Sequence, residues 1–392
     1  MLKEGLDKQE ILKILEEKLS SDLSYEDGAI LGSMCTEPLD IAKEVYIKYI
    51  SKNLGDPGLF RGTAELEDEL VAEIGNLFGG KDIIGTFTTG GSEANIIAMR
   101  IAKKMRPDIK NPEIIVPASA HSSFDKGEDF LGVKIQKAKL KNNFELDLDH
   151  FESLLNDNTC GVVGIAGTTS LGLIDPIKEI GELIEDKNIL FHVDAAFGGF
   201  ILPFLEELKY PIPTWDFRVK EVSSITADPH KMGMGIIPSG GFFLRNPSIL
   251  EKAGFEIPYL AGGNFKHFHI VGTRPGGTVV AFWAIMKSLG FNGFTQIIKE
   301  CMENTEYFAK KLSEIEGLRL AAEPIMNVVG ITTENGESVC ELDKELRRRK
   351  YMVGKFIDFN LIRIVIMPHV KKPHLSNFCN ELEKIVKDLH LV

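Results

Sequence analysis

No excess of positive charge, no close pair of cysteines and no long apolar run occurs in this 392-residue chain. Lys and Arg number 45 against 57 Asp and Glu, a formal charge of -12, so the basic stripe of a nucleic-acid surface is missing. The one dense basic cluster, Arg347-Arg348-Arg349-Lys350, closes an expected helix, where cations suit the C-terminal dipole. The five cysteines (Cys35, Cys160, Cys301, Cys340, Cys379) are scattered and odd in number, without CxxC spacing. They suggest neither a metal site nor a disulfide framework, and free thiols fit a reducing cytoplasm. Nothing approaches the roughly 18 apolar residues of a membrane helix. The opening Met1-Leu2-Lys3-Glu4-Gly5 leads into a charged helix, not a signal core. What remains, 44% hydrophobic and 26% charged, is ordinary for a soluble globular protein, and an intracellular one is expected.

Periodicity then orders the chain. Ile11, Leu12, Leu15 and Leu19 share one helical face. A second helix is expected from Asp40 to Ser51, and an amphipathic one from about Glu65 to Phe78. From Ile83 onward, strand-like runs (83–88, 113–117, 132–139, 161–166, 189–193, 223–226, 241–244) alternate with helical ones. Several of those runs are continuously apolar, which predicts a mostly parallel sheet covered on both faces. A long helix begins near Thr278. The texture then changes to helix (300–315), strands (318–323, 328–332), helix (338–350), strand (361–367) and helix (373–390). The predicted class is α/β: an N-terminal helical segment over 1–55, a large domain over 56–290 and a small C-terminal α+β domain over 291–392.

Four stretches carry chemistry. Thr89-Gly90-Gly91-Ser92-Glu93-Ala94-Asn95 places two glycines and a hydroxyl at a helix N-terminus, a ready phosphate site. The turn has neither a P-loop nor a GxGxxG pattern, so a nucleotide is disfavoured; the plainer reading is a capped helix. His121 follows a strand in a polar loop, where it either stacks on a ring or is simply a surface residue. Asp194 ends the apolar run Ile189–Val193 at a strand's carboxyl end, where open α/β sheets bind ligands. Ala195, Ala196, Gly198 and Gly199 beyond it leave room for a flat ring, although a carboxylate there also caps turns. Lys231, in Asp228-Pro229-His230-Lys231-Met232-Gly233, sits in a tight glycine-padded turn, unlike the usual solvated lysine. A lysine able to form an imine and a carboxylate able to face a pyridine nitrogen are what pyridoxal phosphate (PLP) requires.

Together with Asn53–Phe60, Gly164–Thr169, His192–Gly199 and Ile237–Gly241, these stretches resemble the group II PLP-dependent amino acid decarboxylases nearly end to end. The similarity is greatest to the archaeal L-tyrosine/L-aspartate decarboxylases of methanofuran and coenzyme A biosynthesis. The resemblance implies the PLP-dependent transferase fold (aspartate-aminotransferase fold type I), with a mostly parallel seven-stranded sheet. By the same resemblance Lys231 carries PLP, Asp194 faces its ring nitrogen and His121 stacks on the ring. Gly91 and Ser92 match the phosphate turn, His230 lies beside the phosphate, and Thr169 lies at the ring's polar edge. Gly272 and Thr273 match a loop that reaches the neighbouring subunit's phosphate, which implies a homodimer with shared active sites. No metal is implied. Animal relatives carry a catalytic tyrosine on a mobile loop; here Tyr259, His267 and His269 are candidates for the proton donor.

The implied reaction is loss of CO₂ from L-tyrosine, L-aspartate or both. An acidic side chain would need a cation, for which Arg61, Lys266 and Arg274 stand in candidate loops. Two other readings stay open. An aminotransferase of the same fold would clamp a carboxylate with a small-domain guanidinium such as Arg363; a non-catalytic scaffold would not need the intact Lys–Asp–His set. Phosphorylated sphingoid-base lyases share several of these motifs but usually carry a membrane anchor.

Overall fold

The computed structural model describes residues 4–391, so Met1–Lys3 of the opening stretch lie outside the described residues. The N-terminal helices are α1 (Lys8–Leu19), α2 (Asp40–Tyr49) and α3 (Arg61–Leu77). After them follow β1 (Ile84–Thr88), α4 (Gly91–Met105), β2 (Glu113–Pro117), α5 (Ser123–Leu131), β3 (Lys134–Ala138), α6 (Leu148–Ser153) and β4 (Thr159–Ile165). Next come α7 (Ile177–Leu183), β5 (Leu190–Asp194), α8 (Leu202–Glu207), β6 (Val222–Ala227), β7 (Gly240–Leu244) and α9 (Ser248–Ala253).

The seven strands run in the order β1-β7-β6-β5-β4-β2-β3, and only β7 lies antiparallel to its neighbours. Residue alternation explains why both faces are covered. Ile114, Val116, Leu190, Phe242 and Leu244 face the α4 side, while Ile115, Phe191 and Phe243 face the opposite core. Each such fully buried large side chain contributes about 1.5–3 kcal/mol. β2, β4, β5 and β6 are parallel, so their carboxyl ends, followed by His121, Thr169, Asp194 and Lys231, gather at one edge.

A hairpin of β8 (Phe255–Leu260) and β9 (Gly263–His267) occupies a segment read from the sequence as loop. The two helices expected around Thr278 and Glu300 form one run, α10 (Gly276–Leu312), broken at Gly290 (φ 55°). The small sheet, β10 (Leu318–Leu320), β11 (Val328–Thr333), β12 (Gly354–Phe356) and β13 (Leu361–Val365), is antiparallel in the order β10-β11-β13-β12. Helices α11 (Cys340–Arg348) and α12 (Lys372–Asp388) complete that unit. Residues of the N-terminal segment join it: the amides of Leu31 and Gly32 donate to Met352 O. The Arg347–Arg349 cluster is paired as expected of a helix end, Arg349 to Glu381 (2.7 Å) and Asp388 (2.6 Å).

Candidate active site

A cavity of about 270 Å³ opens at the carboxyl ends of the parallel strands. Gly91, Ser92, His121, Thr169, Asp194, His230 and Lys231 all line it. α4 forms because Ala94, Ile97, Ala98, Ile101 and Ala102 bury one continuous face. Its N-terminus is held open by Gly90, whose φ of 151° suits glycine, and no side chain caps it. The first-turn N–H groups therefore face the cavity with the positive end of the helix dipole. Gly91 lies so close to Asp228 and Ala196 that a Cβ there would come within 2.9 Å of a carboxylate oxygen. An uncapped helix end with no room for a side chain fits an anionic phosphate.

Asp194 is buried at the end of β5. Its oxygens accept from the Asn95 side-chain amide (2.8 Å) and the Ala196 backbone amide (3.1 Å). Because Asn95 Nδ2 donates to Asp194, its Oδ1 must accept, and it does so from His192 Nε2 at 3.0 Å. His192 Nδ1 then accepts from the Ser224 hydroxyl (2.9 Å). Burial pushes the His192 pKa down to about 4, so this relay holds a neutral imidazole with a fixed tautomer. Sequence reading missed Asn95. The available signal was an amide set among apolar neighbours on a buried helix face.

Lys231 places its Nζ 3.0 Å from Asp228 Oδ2, a carboxylate only 1% exposed. Burial works against the ammonium, but Asp228 and then Asp194 outweigh it and hold Lys231 above its ordinary value. His230 Nδ1 accepts from the Ser239 amide (3.1 Å), and its Nε2 stands 3.7 Å from the same Asp228 oxygen. Burial lowers the His230 pKa, with Lys231 adding to the effect against Asp228. His121 Nδ1 accepts from the Ser123 amide (3.2 Å), which leaves Nε2 as the protonated nitrogen of a neutral ring. By surface area the ring is open to the cavity; the protein packed around it still disfavours its charge and lowers its pKa. Ser119 Oγ and Asp228 Oδ1 are buried without partners among the described residues.

The remaining candidates lie elsewhere. Gly272 and Thr273 are exposed and line no part of this cavity. Glu93 ties their loop to the phosphate turn, accepting from the Thr89 amide (2.8 Å) and from the Ile270 amide (3.0 Å). Tyr259 is 81% exposed on the hairpin. His267 and His269 stack on each other (3.4 Å between centroids) and line a different cavity. Burial, with Arg274 nearby, takes His269 to a pKa of about 3. Within one chain, then, none of the three reaches Lys231's cavity. The expected side-chain cations are placed away from it too. Arg274 is buried against Glu67 (Nη2–Oε2 3.0 Å), Lys266 pairs with Glu251 (2.6 Å), and Arg61 lines other cavities. Arg363 is buried with its guanidinium donating to the carbonyls of Thr169 (2.7 Å) and Gly32. Burial alone lowers its pKa to about 10.

Fold and cavity together define a PLP-dependent enzyme of the aspartate-aminotransferase fold type. Among solved structures, a sphingosine-1-phosphate lyase of Burkholderia pseudomallei superposes with a TM-score of 0.91 at 26% identity, covering 99% of this chain and 92% of that one. Residues 62–333 match the pyridoxal-dependent decarboxylase conserved domain. An L-aspartate decarboxylase of Thermococcus kodakarensis is 46% identical over 98% of this chain and 99% of its own length. A protein of Methanothermobacter thermautotrophicus, named a probable L-tyrosine/L-aspartate decarboxylase, is 42% identical over 93% and 99%. The chain belongs to the pyridoxal-dependent decarboxylase family and is a PLP-dependent amino acid carboxy-lyase; the aminotransferase reading is not favoured.

Proposed function

We infer that this enzyme decarboxylates L-aspartate, L-tyrosine or both, releasing β-alanine or tyramine with CO₂. The observation that carries the assignment of the site is the meeting of Lys231, Asp194, His121 and the uncapped end of α4 in one cavity. When bound, PLP supplies a carbonyl that condenses with amines and a ring that takes up the electron pair left by CO₂. Lys231 is the amine that anchors it. Asp194, oriented by Asn95 and the Ala196 amide, would favour a positive charge on the ring nitrogen. His121, fixed by the Ser123 amide, would lie against the ring. Gly91, Ser92 and His230 would hold the phosphate, and Thr169 would border the ring. Arg363, a buried guanidinium bonded only to carbonyls, is the cation nearest in kind to what a substrate carboxylate needs.

A second copy completes the site in this reading. Gly272 and Thr273 are exposed and tied through Glu93 to their own phosphate turn, a placement suited to reaching a partner's phosphate. The small domain begins near the break at Gly290. A cytoplasmic location is supported by the free cysteines, which suit a reducing compartment, and no described helix is long and apolar enough to cross a membrane. Its amine products would enter coenzyme A and methanofuran synthesis.

Incubation of the purified protein with single amino acids, with the amine and CO₂ identified, tests the substrate. β-Alanine or tyramine is expected. A keto acid, or an amine from some other substrate, would overturn the assignment. Lys231→Ala should lose turnover by at least a thousandfold and lose the visible absorbance of the bound cofactor.

A further inference from the structure

Glu67 and Arg274 are both charged and both buried, at 7 and 6% exposure, outside the cavity of Lys231. They meet as a fork: Arg274 Nη1 donates to Glu67 Oε1 and Nη2 donates to Oε2 at 3.0 Å. A buried ion pair is a poor source of stability, because desolvation offsets much of its attraction, but a planar fork fixes geometry. What this one fixes is backbone. β1 is an edge strand of the large sheet and pairs only with β7. Glu67 Oε1 accepts from the Phe87 amide (2.7 Å) and Arg274 Nη1 donates to the Phe87 carbonyl (3.0 Å), as a second neighbouring strand would. Arg274 Nη2 also donates to the Leu54 carbonyl (3.2 Å), and the Leu54 amide donates back to the Arg274 carbonyl (3.0 Å). The pair therefore stands between two stretches. Phe87 leads into the phosphate turn at Thr89–Gly91, and Arg274 closes the loop of Gly272 and Thr273. Glu93 ties the other end of that loop to the same turn, through the amides of Ile270 and Thr89. Held at both ends, the loop leaves Gly272 and Thr273 exposed, with open space around Gly272.

We propose that Glu67 and Arg274 are a positioning pair for the cofactor's phosphate. They set the end of β1 that carries the chain's own phosphate turn, and they hold Thr273 out toward the phosphate of the neighbouring subunit. The guanidinium is already matched by the Glu67 carboxylate, so Arg274 acts through the loop it fixes and not as a phosphate ligand. Lysine is no substitute: a single ammonium has no planar fork with which to meet Glu67, Phe87 and Leu54 together. The inference rests on the reading that Gly272 and Thr273 reach a partner's phosphate.

The test compares PLP with pyridoxal, which has the ring and the aldehyde but no phosphate. Each is titrated into the full-length apoprotein at concentrations where light scattering gives a dimer. The ratio of the two dissociation constants isolates the phosphate, and a general loosening of the fold would not move it selectively. Arg274→Lys should weaken PLP roughly tenfold or more and change pyridoxal by less than about twofold. The double variant Glu67→Leu, Arg274→Met replaces the ion pair by apolar side chains of similar volume, an exchange that buried pairs often tolerate. It should melt close to the wild type and still lose the preference for PLP. Folded variants that keep the wild-type ratio, or that weaken both ligands equally, would overturn the role of the pair. Thr273→Ala separates this claim from the reading beneath it. It should lose the same preference; if it keeps the wild-type ratio, the loop serves no phosphate and the proposal falls with that reading. If Thr273→Ala loses the preference and the pair variants keep it, only the role of the pair falls.

Discussion

Asp194 shows how a cavity carboxylate depends on the side chains that orient it. The Asn95 amide could point either way, but the Asp194 carboxylate can only accept, so Nδ2 turns to it and Oδ1 is left to accept from the neutral His192 imidazole, itself held by Ser224. A hydrogen bond to a charged group contributes about 1.5–3 kcal/mol, so the contact is large enough to matter to cofactor affinity. Replacing Asn95 by Ala should raise the PLP dissociation constant roughly tenfold or more. Asn95→Asp should do worse, because a second carboxylate would face Asp194. Unchanged affinity in both variants would remove Asn95 from the site. That Lys231 and Asp194 belong to one cavity was legible from their turns and flanking small residues. Asn95 and Asp228 were harder to single out, since their importance lies in which distant side chain each one meets.

Among elements, α4 brings together in a few residues an uncapped end that fits a phosphate, Asn95 for Asp194 and Glu93 for the loop at Ile270. α1 poses a different problem. Its apolar face formed as the periodicity predicts, yet none of it is buried: Ile11, Leu12, Leu15 and Leu19 are 43, 48, 45 and 56% exposed. In the dimer proposed above, the second copy would cover this apolar face. Leu15→Glu should therefore weaken the dimer by on the order of tenfold, read by light scattering across a dilution series. A mutant that stays dimeric at every dilution, or a wild type that is monomeric, would reject this role for α1.

The whole molecule stores titratable groups whose unfolding is linked to protons. Burial holds His192 at about 4 and His269 at about 3, below their ordinary 6.5. Unfolding lets both bind protons, so the stability they contribute is present above pH 6.5 and is lost as pH falls toward 4. For His192 alone that loss is up to about 3 kcal/mol. Asp175 acts in the opposite sense. Burial raises its carboxyl from 3.8 to about 7, so the stability it contributes grows as pH falls through that window. Between pH 6.5 and 4.5 the melting temperature should drop, and it should drop more steeply in Asp175→Asn, where the opposing contribution is gone. Parallel pH profiles for the two proteins would contradict this balance.

The alternation of apolar strands and amphipathic helices was enough for the doubly covered sheet, because backbone period and burial are local properties. The glycine turn, Asp194 and Lys231 were likewise readable, since each needs a particular short neighbourhood. Only the tertiary structure decided that Arg274 is spent on Glu67, that His267 and His269 stack over another cavity, and that Lys231 leans on Asp228. Those outcomes depend on which residues far apart in the chain become neighbours. In a low-dielectric interior, the neighbour determines whether a charge is available for chemistry or already neutralised.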